Sequence, residues 1–414
     1  FYAITLAVVA LGTSAPSTIS DEISGFRLLI LVLMLPLLLK YLLQLSVAPF
    51  YHWVDGRRRR AQPVASSLVT VMVPAWNEEV GVVKTLSSVL GSDYPKLELI
   101  VINDGSTDGT DEVINQFINN YQSPEGCMRE IRYLSLENGG KAKAMNEGLL
   151  YAQGEYVVTV DADSVMDKCA VSNLINRFTE PNVGAVAGNV IVANRARPIG
   201  VLQQLEYLYG FFFKRADALF NSVYIIGGAA AAYRRELLLQ LNGFDHKTIT
   251  EDIEMSTRIL GHGYKTRYAA DAVVYTEGPS DLKGLCNQRL RWKFGRFQTF
   301  FKHRHLFFSR DPKHSIYLTF LLLPLAVYAE LLLILEGPLL LGFFAYSFYY
   351  SDFMPLLFMI LLTTFVISFQ VLSDPKLRFH TNLLVMAPIA WVVFYIIDFV
   401  EFQALLRSAK RFMK

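Results

Sequence analysis

The sequence predicts a mixed α/β domain, mostly parallel in its sheet and flanked by helices, set between two membrane-embedded ends. Three observations predict it. Short β-rich runs alternate with segments of helical length through the middle of the chain. Both ends are apolar, whereas charged residues are interspersed from about residue 69 to residue 307. With 52% hydrophobic residues and positive mean hydropathy, the 414 residues are too apolar for a soluble domain alone. The expected division is 1–55 as an N-terminal membrane region with two spans, 68–308 as a cytosolic domain with interface helices, and 315–404 as a C-terminal membrane region. The net charge of +2 selects no partner. Cys127, Cys169 and Cys286 are odd in number and scattered, which suits neither a disulfide framework nor a zinc site and fits a reducing compartment.

At the N-terminus, residues 1–11 begin inside an apolar run without a charged flank, so the start reads as trimmed, with a cleaved leader as the alternative. Residues 26–50, interrupted only by Arg27, Lys40 and Gln44, are long enough to span. The basic block Arg57 to Arg60 then marks a cytoplasmic flank, and residues 13–25, with Asp21 and Glu22, face outward. In the C-terminal region, spans are expected near 353–372 and 382–404. The run 315–349 reads as an interfacial helix with one span or as two tight spans. Run lengths give three C-terminal spans and an external tail, whereas the positive-inside rule gives four and an internal tail; the run lengths are preferred.

Within the domain, residues 69–73, 97–102, 131–136 and 156–160 are β-rich runs separated by helical lengths, the βαβ pattern of a sheet covered on both faces. Ligands bind such sheets beyond the carboxyl ends of the strands, where Asp104 and the pair Asp161 and Asp163 fall. Asn77 suits a cap for the following helix, and Glu78 and Glu79 suit its N-terminus. Residues 103–109 alone are an ordinary Asp/Gly turn and helix cap. Gly139 and Gly140 let backbone amides approach a phosphate, with Lys141 supplying charge; a turn with a solvated lysine is the plain alternative. Asp161 and Asp163 require a turn after their strand to reach an open site, where an oxygen-preferring divalent ion can bind; a capping pair is the alternative. Thr250-Glu251-Asp252 is by itself a helix N-cap. Residues 282–308 mix aromatics with Lys283, Arg289, Lys293, Arg296, Lys302 and Arg304, a membrane-surface pattern in preference to a nucleic-acid one, and Gln288, Arg291 and Trp292 share one helix face.

Taken together and in this order, the motifs around Asp104, Asp161 with Asp163, Thr250-Glu251-Asp252 and Gln288-Arg-Leu-Arg291-Trp292 resemble the processive inverting glycosyltransferases of the GT-A fold. These are the membrane enzymes that make cellulose, chitin, hyaluronan and poly-N-acetylglucosamine. The resemblance implies a donor site holding a UDP-sugar through Ala75, Glu78, Asp104, Lys141, Asp161 and Arg291. It implies Mg²⁺ or Mn²⁺ on Asp163, with Asp161 in the ribose or metal shell. Asp252 is then the general base and Glu251 orients it, while Gly228, Gln288 and Trp292 meet the acceptor. Also implied are a growing polysaccharide as acceptor, passage of the product across the cell (inner) membrane, a cytoplasmic catalytic domain, and a small membrane accessory subunit, with no nucleic acid. UDP-N-acetylglucosamine is the favoured donor. Thr250 departs from the Gly that opens this motif in hyaluronan and lipochitooligosaccharide synthases. A glycolipid-forming transferase is the rival reading, and an inactive membrane scaffold the more distant one.

Overall fold

The computed structural model describes residues 21–60, 67–123 and 125–412. The expected span 1–11 lies outside them. Asp21 and Glu22, expected in an external loop, belong to a helix over Asp21–Val47.

Eight strands form one sheet: β1 (Val69–Ala75), β2 (Lys96–Asp104), β3 (Met128–Leu136), β4 (Tyr156–Thr159), β5 (Ser164–Met166), β6 (Val183–Val192), β7 (Ala231–Arg234) and β8 (Lys265–Thr276). Their order is β3-β2-β1-β4-β7-β6-β8-β5. The four expected runs are β1 to β4, all mutually parallel, so their carboxyl ends open on one edge. β7 runs antiparallel to β4 and β6, and β5 antiparallel to β8, making the sheet mixed. Strand periodicity builds both faces. Val69, Val71, Val73, Leu97, Leu99 and Val101 pack with Leu86, Val89 and Ile114 on one side. Met72, Ile100, Ile102 and Val157 pack with Met145, Leu149, Leu237 and Ile259 on the other. Helices cover both sides, which is why the strands read as apolar runs without alternation.

Two long helices lie between the sheet and the apolar ends, over Pro198–Leu219 and Leu282–Lys302. Among the described residues, Val32–Arg59, Tyr317–Tyr349 and Leu377–Phe412 are long and apolar enough to cross a membrane, and Leu356–Leu372 is shorter. The run 315–349 was expected as an interfacial helix with one span or as two tight spans. It is one continuous helical segment, a π-helical turn over Tyr317–Leu322 leading into Leu323–Tyr349. Pro324 follows just after the π-helical turn. The last helix is Ala390–Phe412. Its Phe412 ring lies 6.4 Å from Phe294 and 5.6 Å from Phe301, both on the helix Leu282–Lys302. The basic block after the first apolar helix does more than flank a membrane: Arg59 pairs with Asp55 at 3.1 Å and with Asp271 of β8 at 3.3 Å.

Candidate active site

The carboxyl ends of β1, β2 and β4 carry the expected residues. Ala75 closes β1 opposite Asn103, and Asp104 closes β2 opposite Leu136. Past β3, the chain turns back so that the Gly139 and Gly140 amides donate to the two Asp104 oxygens at 2.8 and 2.9 Å. Gly105 makes this possible: its φ is +66°, and a Cβ there would come within 2.5 Å of the Asn138 amide nitrogen. The two glycine amides are thus directed at Asp104, which corrects the expectation that they face a phosphate. Each Asp104 oxygen retains lone-pair capacity for a further donor.

Asn77 is not a helix cap. It adopts φ 56°, and its side-chain oxygen accepts the Thr107 amide at 2.8 Å, while the helix Val82–Leu90 is preceded by Gly81. Glu79 likewise serves a loop contact, accepting the Gly109 amide at 3.1 Å. Glu78 turns the other way, toward the acidic pair. Burial, then Asp163 and Asp161, push its carboxyl up to about 7.

After β4 the chain turns, the Ser164 amide donating to the Asp161 carbonyl at 3.0 Å, and the two aspartates part company. Asp163 accepts the Ser164 hydroxyl at 3.0 Å; burial and then Asp161 raise its carboxyl above the usual range. Asp161 is paired to Lys141. Lys141 also reaches Glu251 at 3.4 Å. Burial works against its charge, but Asp161, Glu251 and Asp252 outweigh burial and hold the ammonium protonated.

Asp252 sits in the first turn of the helix Glu251–Gly261, where its oxygens accept the Ile253 and Gly228 amides, each at 2.8 Å. Gly228 is where the cluster converges. A Cβ at this position would lie 2.7 Å from Lys141 Nζ, 3.6 Å from Asp252 Oδ2 and 3.7 Å from Asp161 Oδ1. Burial and then Glu251 raise the Asp252 carboxyl to about 6, against the pull of Lys141. Thr250 precedes the helix without making a side-chain cap; its hydroxyl is buried against Gly295, where a Cβ would lie 2.3 Å from Oγ1, so packing overrides the capping pattern.

Trp292 lies on the helix Leu282–Lys302. Its ring lies 6.4 Å from Tyr207 and 4.2 Å from the Arg289 guanidinium. The Tyr207 hydroxyl is raised to about 12, by burial first, with Asp163 the least of the contributing charges. Gln288 accepts from Arg289 at 3.3 Å, and Arg291 is exposed. Lys141, Asp161, Gly228, Glu251 and Asp252 therefore meet directly. Glu78 and Asp163 join them through charge, whereas Gln288, Arg291 and Trp292 lie on a separate helix, with Trp292 near Tyr207.

On this helix, expected as a membrane-surface segment, four of the basic residues are paired within the protein. Arg289, Lys293 and Arg296 point inward and pair with Glu206, Glu330 and Glu401. Lys302 also pairs inward, with Asp245 and Glu254. Sequence reading also missed Lys214, which lies 3.9 Å over the Phe211 ring and is pulled down to about 8 by burial, against Asp217 and Asp252. A lysine between aromatics on a half-buried helix was the available signal.

The family described as "Glycosyltransferase like family 2" matches residues 66–295, more than half of the chain and all of the sheet. This chain belongs to glycosyltransferase family 2. Over 231 residues the glycosyltransferase is 36% identical to a poly-beta-1,6-N-acetyl-D-glucosamine synthase of Staphylococcus epidermidis and 35% identical to one of Staphylococcus aureus. Each match covers 55% of this chain and 54% of the relative, so the chain spans about half the length of the curated relatives it matches. A mannosyltransferase from Pyrobaculum calidifontis, solved in complex with GDP-Man and Mn²⁺, superposes with a TM-score of 0.52 at 24% identity, covering 80% of this chain and 96% of that one. The mixed sheet flanked by helices is thus a GT-A fold.

Proposed function

We propose that this glycosyltransferase moves N-acetylglucosamine from UDP-N-acetylglucosamine, with inversion, onto the growing end of a β-linked polymer that passes into the membrane. The observation that carries the reaction type is Asp252. It is a half-buried carboxylate raised to about 6, fixed by two backbone amides and placed across Gly228 from Asp161. The staphylococcal relatives favour the sugar and the polymer.

The roles combine this geometry with those the family resemblance implies. Asp104 and the loop after Ala75 receive the nucleoside, with Glu78 close to the ribose. The acceptor hydroxyl gives its proton to Asp252 as its oxygen attacks the anomeric carbon from the face opposite UDP, and the bond from that carbon to the diphosphate oxygen breaks. A base titrating near 6 is ionised at neutral pH and still basic enough to share the proton in the transition state. Glu251 sets the Asp252 charge state and helps hold Lys141, which neutralises the Asp161 side of the site. Arg291, exposed on its helix, is available to the leaving diphosphate, and Trp292 offers an apolar floor to the acceptor sugar alongside Gln288. Gly228 leaves room for that sugar to approach Asp252.

A divalent ion fits the acidic pair. The donors are carboxylate oxygens, suited to Mg²⁺ or Mn²⁺, and among the described residues no three His, Cys, Asp or Glu side chains form an ion cage, so a diphosphate must complete the shell. Asp163, with Asp161 behind it, would hold the ion, which supplies charge neutralisation for the leaving diphosphate. The cytosol is the proposed side for the catalytic domain, with the apolar helices in the inner membrane and a small accessory subunit beside them.

Product analysis tests the reading. Membranes containing the enzyme are given each labelled UDP-sugar in turn, and the product is digested with linkage-specific glycosidases. Incorporation from UDP-N-acetylglucosamine into a hexosaminidase-sensitive polymer is expected; incorporation only from another UDP-sugar contradicts the donor assignment.

A further inference from the structure

Three cations on one face of the helix Leu282–Lys302 meet three carboxylates drawn from three other helices. Arg289 is 1% exposed, with Nη2 at 2.5 Å from Glu206 and Nε at 3.4 Å from Glu401. Lys293 lies 2.6 Å from Glu401 and 2.7 Å from Glu330, and Arg296 lies 3.1 Å from Glu330. Glu206 belongs to Pro198–Leu219, Glu330 to Leu323–Tyr349 and Glu401 to Ala390–Phe412. The charges balance, and Glu401 occupies the centre, touching both Arg289 and Lys293.

Arg289 has a second contact that a purely structural ion pair does not need. Its guanidinium lies 4.2 Å from the centroid of the Trp292 ring, so one face of the indole rests on it. A guanidinium is planar, and its plane is set by carboxylates that grip different nitrogens. Here Glu206 takes Nη2 and Glu401 takes Nε. The angle of the indole thus depends on where the last helix places Glu401, and the ring is in turn within 6.4 Å of Tyr207. Resting on the proposed role of Trp292, we propose that Glu401, acting through Arg289, is a positioning residue for the acceptor floor, so that the last helix controls chain elongation.

The experiment uses the full chain in membranes and reads product length and donor KM for Glu401→Gln, Arg289→Lys and Trp292→Leu, and for Glu401→Gln combined with Trp292→Leu. Arg289→Lys keeps the charge that holds the helices together but loses the plane that supports the indole, so a merely structural network tolerates it. Expected are products roughly tenfold shorter for Glu401→Gln and for Arg289→Lys, since small misplacements of a reacting group cost rate steeply. Donor KM should stay unchanged, and the double variant should show no shortening beyond that of Trp292→Leu alone. Full-length product from Arg289→Lys, or further shortening in the double variant, overturns the inference; the Arg289→Lys arm decides the matter if Glu401→Gln fails to accumulate. Full-length product from Trp292→Leu instead overturns the acceptor-floor reading itself, a separate and recognisable failure.

Discussion

Replacing Asp252 with Asn removes the base while nearly conserving stability, because two effects of similar size oppose each other. Burial and Glu251 carry the Asp252 carboxyl from an ordinary 3.8 to about 6. At about 1.36 kcal/mol per pKa unit, the folded enzyme disfavours this charge by ~3 kcal/mol at neutral pH. The folded state binds the proton more tightly than the unfolded state, so stability falls as pH rises from about 4 to about 6 and the loss is complete above that. The Asn variant escapes this loss. Its carboxamide, however, has one acceptor oxygen for two amide donors, Gly228 and Ile253, so one of them loses its partner at a cost of about 1–3 kcal/mol. At pH 7.5 the thermal midpoint should therefore stay within a few degrees of wild type, and at pH 5 the variant should be the less stable of the two. Transfer should fall about 100- to 10,000-fold, with UDP binding within a few-fold. Initial rates and UDP titrations on purified protein, with thermal scans at both pH values, provide the assay. Retention of more than about a tenth of the activity refutes the assignment of the base, and a collapse of stability at pH 7.5 refutes the energetic reasoning.

Other expectations follow from neighbouring residues. The wild-type rate should rise with pH through an apparent value near 6 and level off above it, since Asp252 acts as the carboxylate. Lys141→Met should move that limb to higher pH, because Lys141 holds the Asp252 value down against Glu251; an unmoved limb in the pH–rate profile would contradict the coupling. Turnover should require Mg²⁺ or Mn²⁺, and Asp163→Ala should abolish both activity and metal response; an unchanged rate after exhaustive chelation would remove the metal role. In a background lacking Cys127, Cys169 and Cys286, a cysteine at position 410 should resist external labelling as one at position 60 does, because Phe412 lies against the interface helix. External labelling of position 410 would place the tail on the other side, as the run lengths alone suggest.

How much could be read from the sequence depended on whether the partners were local. Strands β1 to β4 were legible because compact β-branched runs end at turn residues, and those ends position Asp104, Asp161 and Asp163. β7 was not among the runs expected: Gly228 just before it is small because Lys141 and Asp252 crowd it, a tertiary demand that mimics a turn signal. Asn77 looked like a cap because Asn favours caps, but Thr107 claims its side chain. Arg289, Lys293 and Arg296 read as part of a membrane-surface pattern because Glu330 and Glu401 lie far along the chain. The available clue was on the acidic side, since carboxylates within apolar helices need partners.

Product length at the earliest turnover tests the central claim most directly. Enzyme in membranes is pulsed with labelled UDP-N-acetylglucosamine at limiting enzyme, then chased with excess unlabelled donor, and labelled products are sized. A synthase that retains its acceptor between transfers should give long labelled chains while most acceptors are still unused, with their length increasing during the chase. Release of only mono- or disaccharide-bearing lipid under donor excess would contradict the account and make the chain a glycolipid-forming transferase.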